Sequence, residues 1–218
     1  MRNALWVAVF VLASCQEYTI DGPATVPVAT PPAPPDNRDG DPPDWNDCFQ
    51  GFLGEYTNLP ANHPFVEPDP LLEEGPLDFT TLDWWDQPSF QQFSPSLDFG
   101  SNWWPVDEGL AGDPAYFAVR WNAWIRAWDD TTLEFSLGSA DDVWILINDE
   151  LVFSDTGIKN FDPQTYTIDL EAGQYPMEIR FAHRSGESGF RFRVLSPRGQ
   201  DGTSICYAEY DDGSTPAP

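Results

Sequence analysis

Apolar residues fall at every second position along much of the second half of this chain. Phe117, Val119 and Trp121 alternate with Ala118, Arg120 and Asn122, and Leu133, Phe135 and Leu137 with Glu134 and Ser136. The same beat recurs at Tyr166, Ile168 and Leu170, at Met177, Ile179 and Phe181, and at Phe190, Phe192 and Val194. Successive side chains of a strand point to opposite faces, so this period predicts half-buried β-strands. Residues 143–147 read Val-Trp-Ile-Leu-Ile, apolar at every position. That run predicts a central strand covered on both faces. Asn148-Asp149 supplies turn residues and Glu150-Leu151-Val152-Phe153 returns, which is a hairpin signal. Ala172-Gly173 and residues 185–189 are further turns. No window of ten or more residues carries a 3.6-residue period. The predicted fold class is all-β, an antiparallel β-sandwich or barrel.

Residues 57–116 break the pattern. They are rich in Pro, Asp and aromatics, including Trp84-Trp85 and Trp103-Trp104. An exposed tryptophan pair would be a platform for stacking sugars; the alternative is irregular loops that fill or cover the core. Further upstream, eight of the 24 residues from Asp21 to Asp44 are proline. Such a segment buries no core and reads as polyproline II or disordered chain, with a reach of roughly 75 Å. The tail 211–218 is polar and contains Pro. The organisation is therefore a leader 1–15, a spacer 16–44, one β domain 45–210 and a short tail 211–218.

The leader has Arg2, the apolar run Ala4 to Leu12, and then Leu12-Ala13-Ser14-Cys15. The run is too short to span a bilayer and fits a secretory signal. The tetrapeptide resembles the bacterial lipobox, in which the Cys is lipidated and the preceding peptide removed. Two or more acyl chains give stable anchoring. Gln16, rather than Asp, follows the Cys; in the sorting pattern this resembles, that implies the outer membrane or cell surface of a Gram-negative cell. An ordinary signal peptide with a chance Cys is the other reading. With Cys15 acylated, Cys48 and Cys206 are the remaining pair, and an oxidising compartment permits a disulfide between them. In the chain-entropy account such a long-range bridge contributes about 4–5 kcal/mol. Two buried free thiols are the alternative.

Charge narrows the partners. There are 36 acidic and 10 basic residues, for a formal net charge of −26. This argues against nucleic acid, which requires clustered Lys and Arg, and against electrostatic docking on anionic lipid, leaving the lipid anchor as the only membrane contact. Divalent cations and glycans remain.

Four segments, in order, resemble the PA14 domain. They are Gly51-Phe52-Leu53-Gly54-Glu55-Tyr56, residues 117–125, residues 133–148 and Leu170-Glu171-Ala172-Gly173-Gln174-Tyr175. Residues 141–157 with 181–194 also resemble its fibro-slime variant. The resemblance implies a β-barrel or sandwich of PA14 type that serves carbohydrate binding or adhesion. In adhesin members, two consecutive Asp residues on the turn before the central strand hold a Ca2+ that contacts sugar hydroxyls. It therefore implies Asp141 and Asp142 as metal ligands and Ca2+ as cofactor. Calcium takes six to eight oxygens and accepts glycan hydroxyls among them. Ala140, however, stands where the family has its first Asp. The residues alone leave a second reading, in which both carboxylates accept hydrogen bonds from the backbone of the turn.

An enzyme is not expected. So many carboxylates make acidic pairs by chance, and no Gly-x-Ser-x-Gly, His-Glu-x-x-His or phosphate-binding loop is present. His63 sits in a Pro-rich loop and His183 at a strand end. The expected function is a non-catalytic carbohydrate-binding or adhesion module of the envelope, with a glycan or an envelope or extracellular protein as partner. The alternative is a structural or protein-interaction lipoprotein.

Overall fold

Alternating segments become strands, and the strands form two sheets. A computed structural model describes residues 26–27, 49–67, 77–105, 113–198 and 202–207. The leader with Cys15, most of the spacer, Cys48 and the tail 211–218 lie outside the described residues. The strands are β1 Val26–Pro27, β2 Phe49–Gln50, β3 Phe52–Leu59, β4 Phe90–Ser94, β5 Leu97–Ser101, β6 Asp113–Ala127 and β7 Thr131–Ala140. They continue as β8 Asp142–Ile147, β9 Glu150–Asp155, β10 Gln164–Leu170, β11 Gly173–His183, β12 Gly189–Ser196 and β13 Thr203–Tyr207. The one helical element among the described residues is a 3-10 turn at Phe79–Thr81.

One sheet has the order β1-β10-β7-β12-β5; the other runs β2-β13-β6-β11-β8-β9, with β3 also paired to β6 and β4 to β3. Every pairing is antiparallel except β1, where Val26 and Pro27 lie parallel to Tyr166 and Thr167. A proline has no N–H for a ladder and fits only such an outer position. Two residues of the expected spacer are thus joined to the domain.

The sheets pack face to face as a sandwich. Leu133, Phe135, Leu137, Ile168, Phe190 and Phe192 of the first sheet meet Trp121, Ile125, Ile145, Ile179 and Phe181 of the second in one buried cluster. These are largely the residues that set the period-2 pattern. Trp121 spans the interface, its ring 4.6 Å from that of Phe190. Gly54 lies under this indole, and a Cβ there would come within 2.8 Å of Trp121 Nε1. Only glycine allows so close an approach.

β8 is covered on both faces, as its apolar run requires. Val143, Ile145 and Ile147 enter the inter-sheet core. Trp144 and Leu146 face outward into a second cluster with Leu59, Val66, Trp84, Trp85, Ala118 and Ala182. The cover comes from residues 59–66 and 77–85, whose Trp85 donates to the Val119 carbonyl at 3.1 Å. The strand lies between β11 and β9, one place from the edge of its sheet, while β6 and β11 are central. The β8–β9 turn forms at Asn148 and Asp149, both at positive φ (54° and 62°), the conformation a two-residue hairpin demands.

Candidate functional site

The Asp141-Asp142 corner sits at one pole of the sandwich, where β7 passes into β8. Residue Ala140 ends β7, Asp142 begins β8, and the Ala140–Asp141 peptide is cis. Both carboxylates are completely buried. Asp141 Oδ1 accepts from the Lys159 N–H at 3.1 Å, and Oδ2 accepts from the Arg184 and Ser185 N–H groups at 2.8 and 3.0 Å. Asp142 Oδ1 accepts from the Gly157 N–H at 2.7 Å. The side chains therefore do accept backbone hydrogen bonds, but from two other loops rather than from their own turn.

A buried guanidinium completes the corner. Arg184 follows the last residue of β11 and is wholly inaccessible to solvent. Its Nε donates to Asp142 Oδ2 at 2.5 Å, and its Nη1 donates to the Phe65 carbonyl at 2.8 Å. Lys159 Nζ donates to the carbonyls of Asp141 at 2.6 Å and Asp155 at 2.9 Å. Two acidic side chains thus tie the loops at 63–67, 156–160 and 184–188 into one network. Gly157, at φ +113°, offers its N–H from a backbone conformation that side chains disfavour.

Burial sets the electrostatics. Desolvation pushes the Asp141 carboxyl above its usual range, opposed by its backbone donors and by His183. Desolvation likewise holds His183 below the ordinary histidine range, opposed by Asp141. The imidazole is fully buried, its Nδ1 3.0 Å from the Ala140 carbonyl and 3.6 Å from Asp141 Oδ2. The neutral ring donating from Nδ1 fits both contacts.

This donor set does not fit calcium. Each of the four carboxylate oxygens already accepts an N–H, and Ala140 contributes no carboxylate. The Arg184 guanidinium also already neutralises the Asp142 carboxylate. No group of three or more His, Cys, Asp or Glu among the described residues is placed to hold a metal.

The tryptophan pairs separate. Trp84 and Trp85 are buried in the outer cluster, and Trp103 stacks on Phe99 with centroids 4.1 Å apart. Trp104 is 44% exposed. Its ring lies 5.2 Å from that of His183, so an open indole flanks the acidic corner. Cys206, on β13, is buried and disulfide-bonded. Its expected partner Cys48 and the lipidation candidate Cys15 lie outside the described residues. Sequence reasoning did not single out Arg184, Lys159 or Trp104 alone. The available signal was scarcity, since a cation in so acidic a chain rarely lacks a defined place.

Residues 77–207 match the family model of the PA14 domain. Among solved structures, the A domain of epithelial adhesin 9 from Candida glabrata, in complex with Galβ1-3GlcNAc, aligns at TM-score 0.53 and 13% identity, over 84% of this chain and 100% of that one. The PA14 domain of the antifreeze protein MpAFP aligns at 0.51 and 16% identity, over 75% and 90%. A β-glucosidase from Kluyveromyces marxianus, in complex with glucose, aligns at 0.45 and 14% identity, over 69% of this chain; the match spans only 16% of that enzyme. No curated protein matches the chain.

Proposed function

Because this chain belongs to the PA14 domain family, with the family match running over residues 77–207, we propose that it is a non-catalytic glycan-binding module. It is carried outside the cell on a lipidated Cys15 and held off the membrane by the residues between Cys15 and β1. One observation supports the reading above others: Trp104 exposes its indole beside the corner that carries the family's signature turn. The apolar face of a sugar stacks on an open aromatic ring, and the rigid Asp141–Arg184 network beneath fixes that ring's surroundings. The structure of epithelial adhesin 9 with a galactoside belongs to the same fold and supports a saccharide as the ligand class. In this reading the corner is held by an internal cation, and sugar binding proceeds without calcium.

The test is retention of the detergent-solubilised chain on an array of neutral glycans, with calcium and with EDTA. Retention in both conditions, lost in Trp104→Ala at an unchanged melting temperature, is the expected result. If no glycan is retained, or the variant is retained equally, the reading is wrong. Palmitate labelling that disappears in Cys15→Ser checks the anchor.

A further inference from the structure

Among the described residues, five strands mark the margins of the two sheets: β1 and β5 in the first, β2, β4 and β9 in the second. A margin strand presents unpaired N–H and C=O groups and is a ready template for another chain, so proteins blunt it. Four of the five are blunted. β1 carries Pro27, and β2 is only two residues long. β5 carries Asp98 and is kinked by a register shift against β12. β9 has a shift against β8 and a carboxylate at each end, Glu150 and Asp155.

β4 has none of these devices. Phe90–Ser94 pairs with β3 through five successive residues without a shift, and among the described residues it pairs with no other strand. The strand contains no proline and no charge. The uncharged run extends from Gln87 to Leu97, in a chain where 36 of 218 residues are acidic. Gln91 and Gln92 are exposed, and Phe93 is 41% exposed although its ring lies 6.4 Å from that of Tyr207. Pro88 and Pro95 stand just outside the strand and confine any pairing to this short stretch.

Charge and symmetry select the occupant. A second copy of so acidic a chain is repelled wherever carboxylates would face each other, but not along this margin. Glu55, opposite Gln91 on β3, is engaged by Arg120 Nη2 at 2.6 Å and by Gln91 Nε2 at 3.1 Å. Asp98, past the turn, is held by Arg191 at 2.5 Å. We propose that β4 pairs antiparallel with β4 of a second copy, about a two-fold axis at Gln92. An axis perpendicular to the sheet keeps each face on its own side, so it must fall on a residue, and the middle residue of the strand pairs all five. Gln92 then faces Gln92, Phe90 faces Ser94, and the exposed Phe93 ring meets the methylenes of Gln91. The second sheet becomes continuous across both copies. Such an interface is self-complementary and consumes the margin, so assembly stops at two.

Cross-linking and sedimentation of the full chain in detergent test this. In Gln92→Cys the two new thiols face each other with Cβ atoms about 5 Å apart. Mild oxidation should link the copies at least about tenfold faster than in Gln91→Cys, whose thiol faces Phe93. Sedimentation up to about 0.5 mM should show a monomer–dimer equilibrium in the parent, weak because a five-residue pairing is a small interface. Gln92→Glu keeps the size of the side chain and sets two carboxylates against each other on the axis. It should weaken the dimer at least about tenfold, and the melting temperature should hold because Gln92 is exposed. A parent that stays monomeric, equal linking of the two cysteine variants, or a Gln92→Glu chain that dimerises as the parent does overturns the proposal. Sedimentation reads this pairing and array retention reads the Trp104 corner, so either can fail alone.

Discussion

Replacing Arg184 by Met is the sharpest test of what holds the acidic corner together. Met keeps the length and most of the apolar volume of the side chain but removes the charge. The guanidinium donates to Asp142 Oδ2 at 2.5 Å and to the Phe65 carbonyl at 2.8 Å, and all of Arg184 and Asp142 is shut off from water. After substitution, Asp142 keeps the Gly157 N–H at 2.7 Å and loses its counter-charge. Breaking a buried ion pair from one side costs about 3–5 kcal/mol, a large part of the roughly 5–15 kcal/mol that a domain has in total. The cost is mainly that of stranding a carboxylate. Removing that charge as well should therefore recover stability. Asp142→Asn retains an acceptor for Gly157, so the double variant Arg184→Met/Asp142→Asn should be more stable than Arg184→Met alone, with a coupling of about 2 kcal/mol. Urea unfolding followed by tryptophan fluorescence gives all four corners of the cycle. A single Arg184→Met cost below about 1 kcal/mol, or a double variant equal to the sum of the two singles, would refute the reasoning.

Other outcomes follow from the same geometry. Millimolar calcium should leave the melting temperature where EDTA leaves it, because the carboxylate oxygens are committed; a reproducible rise with calcium would show that the network opens to admit an ion. His183 should titrate below the ordinary 6.5. The unfolded chain then takes up the proton first, so the folded state loses stability as pH falls below 6.5 towards the folded pKa, by at most about 1.4 kcal/mol per pH unit. His183→Asn, which keeps a donor near Ala140, should flatten this loss, and a stability difference between parent and variant that stays constant from pH 7.5 to 5.5 counts against the assignment. Trp144→Ala should cost about 3–5 kcal/mol by emptying the outer cluster, measured in the same urea assay, whereas Trp104→Ala should cost little. Cys48→Ser should destabilise the chain by about 4–5 kcal/mol if Cys48 is the partner of the bonded Cys206; an unchanged urea midpoint would exclude that pairing.

The strands at β7, β10, β11 and β12 were legible because each has one face in the core and one in water, which writes itself as alternation. β8 was legible for the opposite reason: residues 59–66 and 77–85 cover its second face, so polar residues vanish from it. β4 and β5 left no such trace. Their five-residue sequences, Phe-Gln-Gln-Phe-Ser and Leu-Asp-Phe-Gly-Ser, are short, sit at margins and bury few positions. At the acidic corner, Asp141 and Asp142 stood out by adjacency, but their partner did not. Arg184 lies 42 residues from Asp142 and reaches it only because β8 and β11 pair with Asp142 opposite Ala182. A contact created by register between distant strands has no local signature. The split of Trp103 from Trp104 was hidden similarly, since neighbouring residues on an extended segment face opposite ways and only the surrounding fold decides which side is wet.

The guanidinium at the corner has a bearing on where such a protein can work. A bound metal is at the mercy of its surroundings: it leaves on dilution, and polyanions outside the cell compete for it. Arg184 is attached to the chain by peptide bonds and is present at the same effective concentration in hard water, soft water or a matrix full of chelating polymers. The three loops it gathers keep their shape through all of these, so the surface they present is set by translation and folding rather than by the mineral content of the medium.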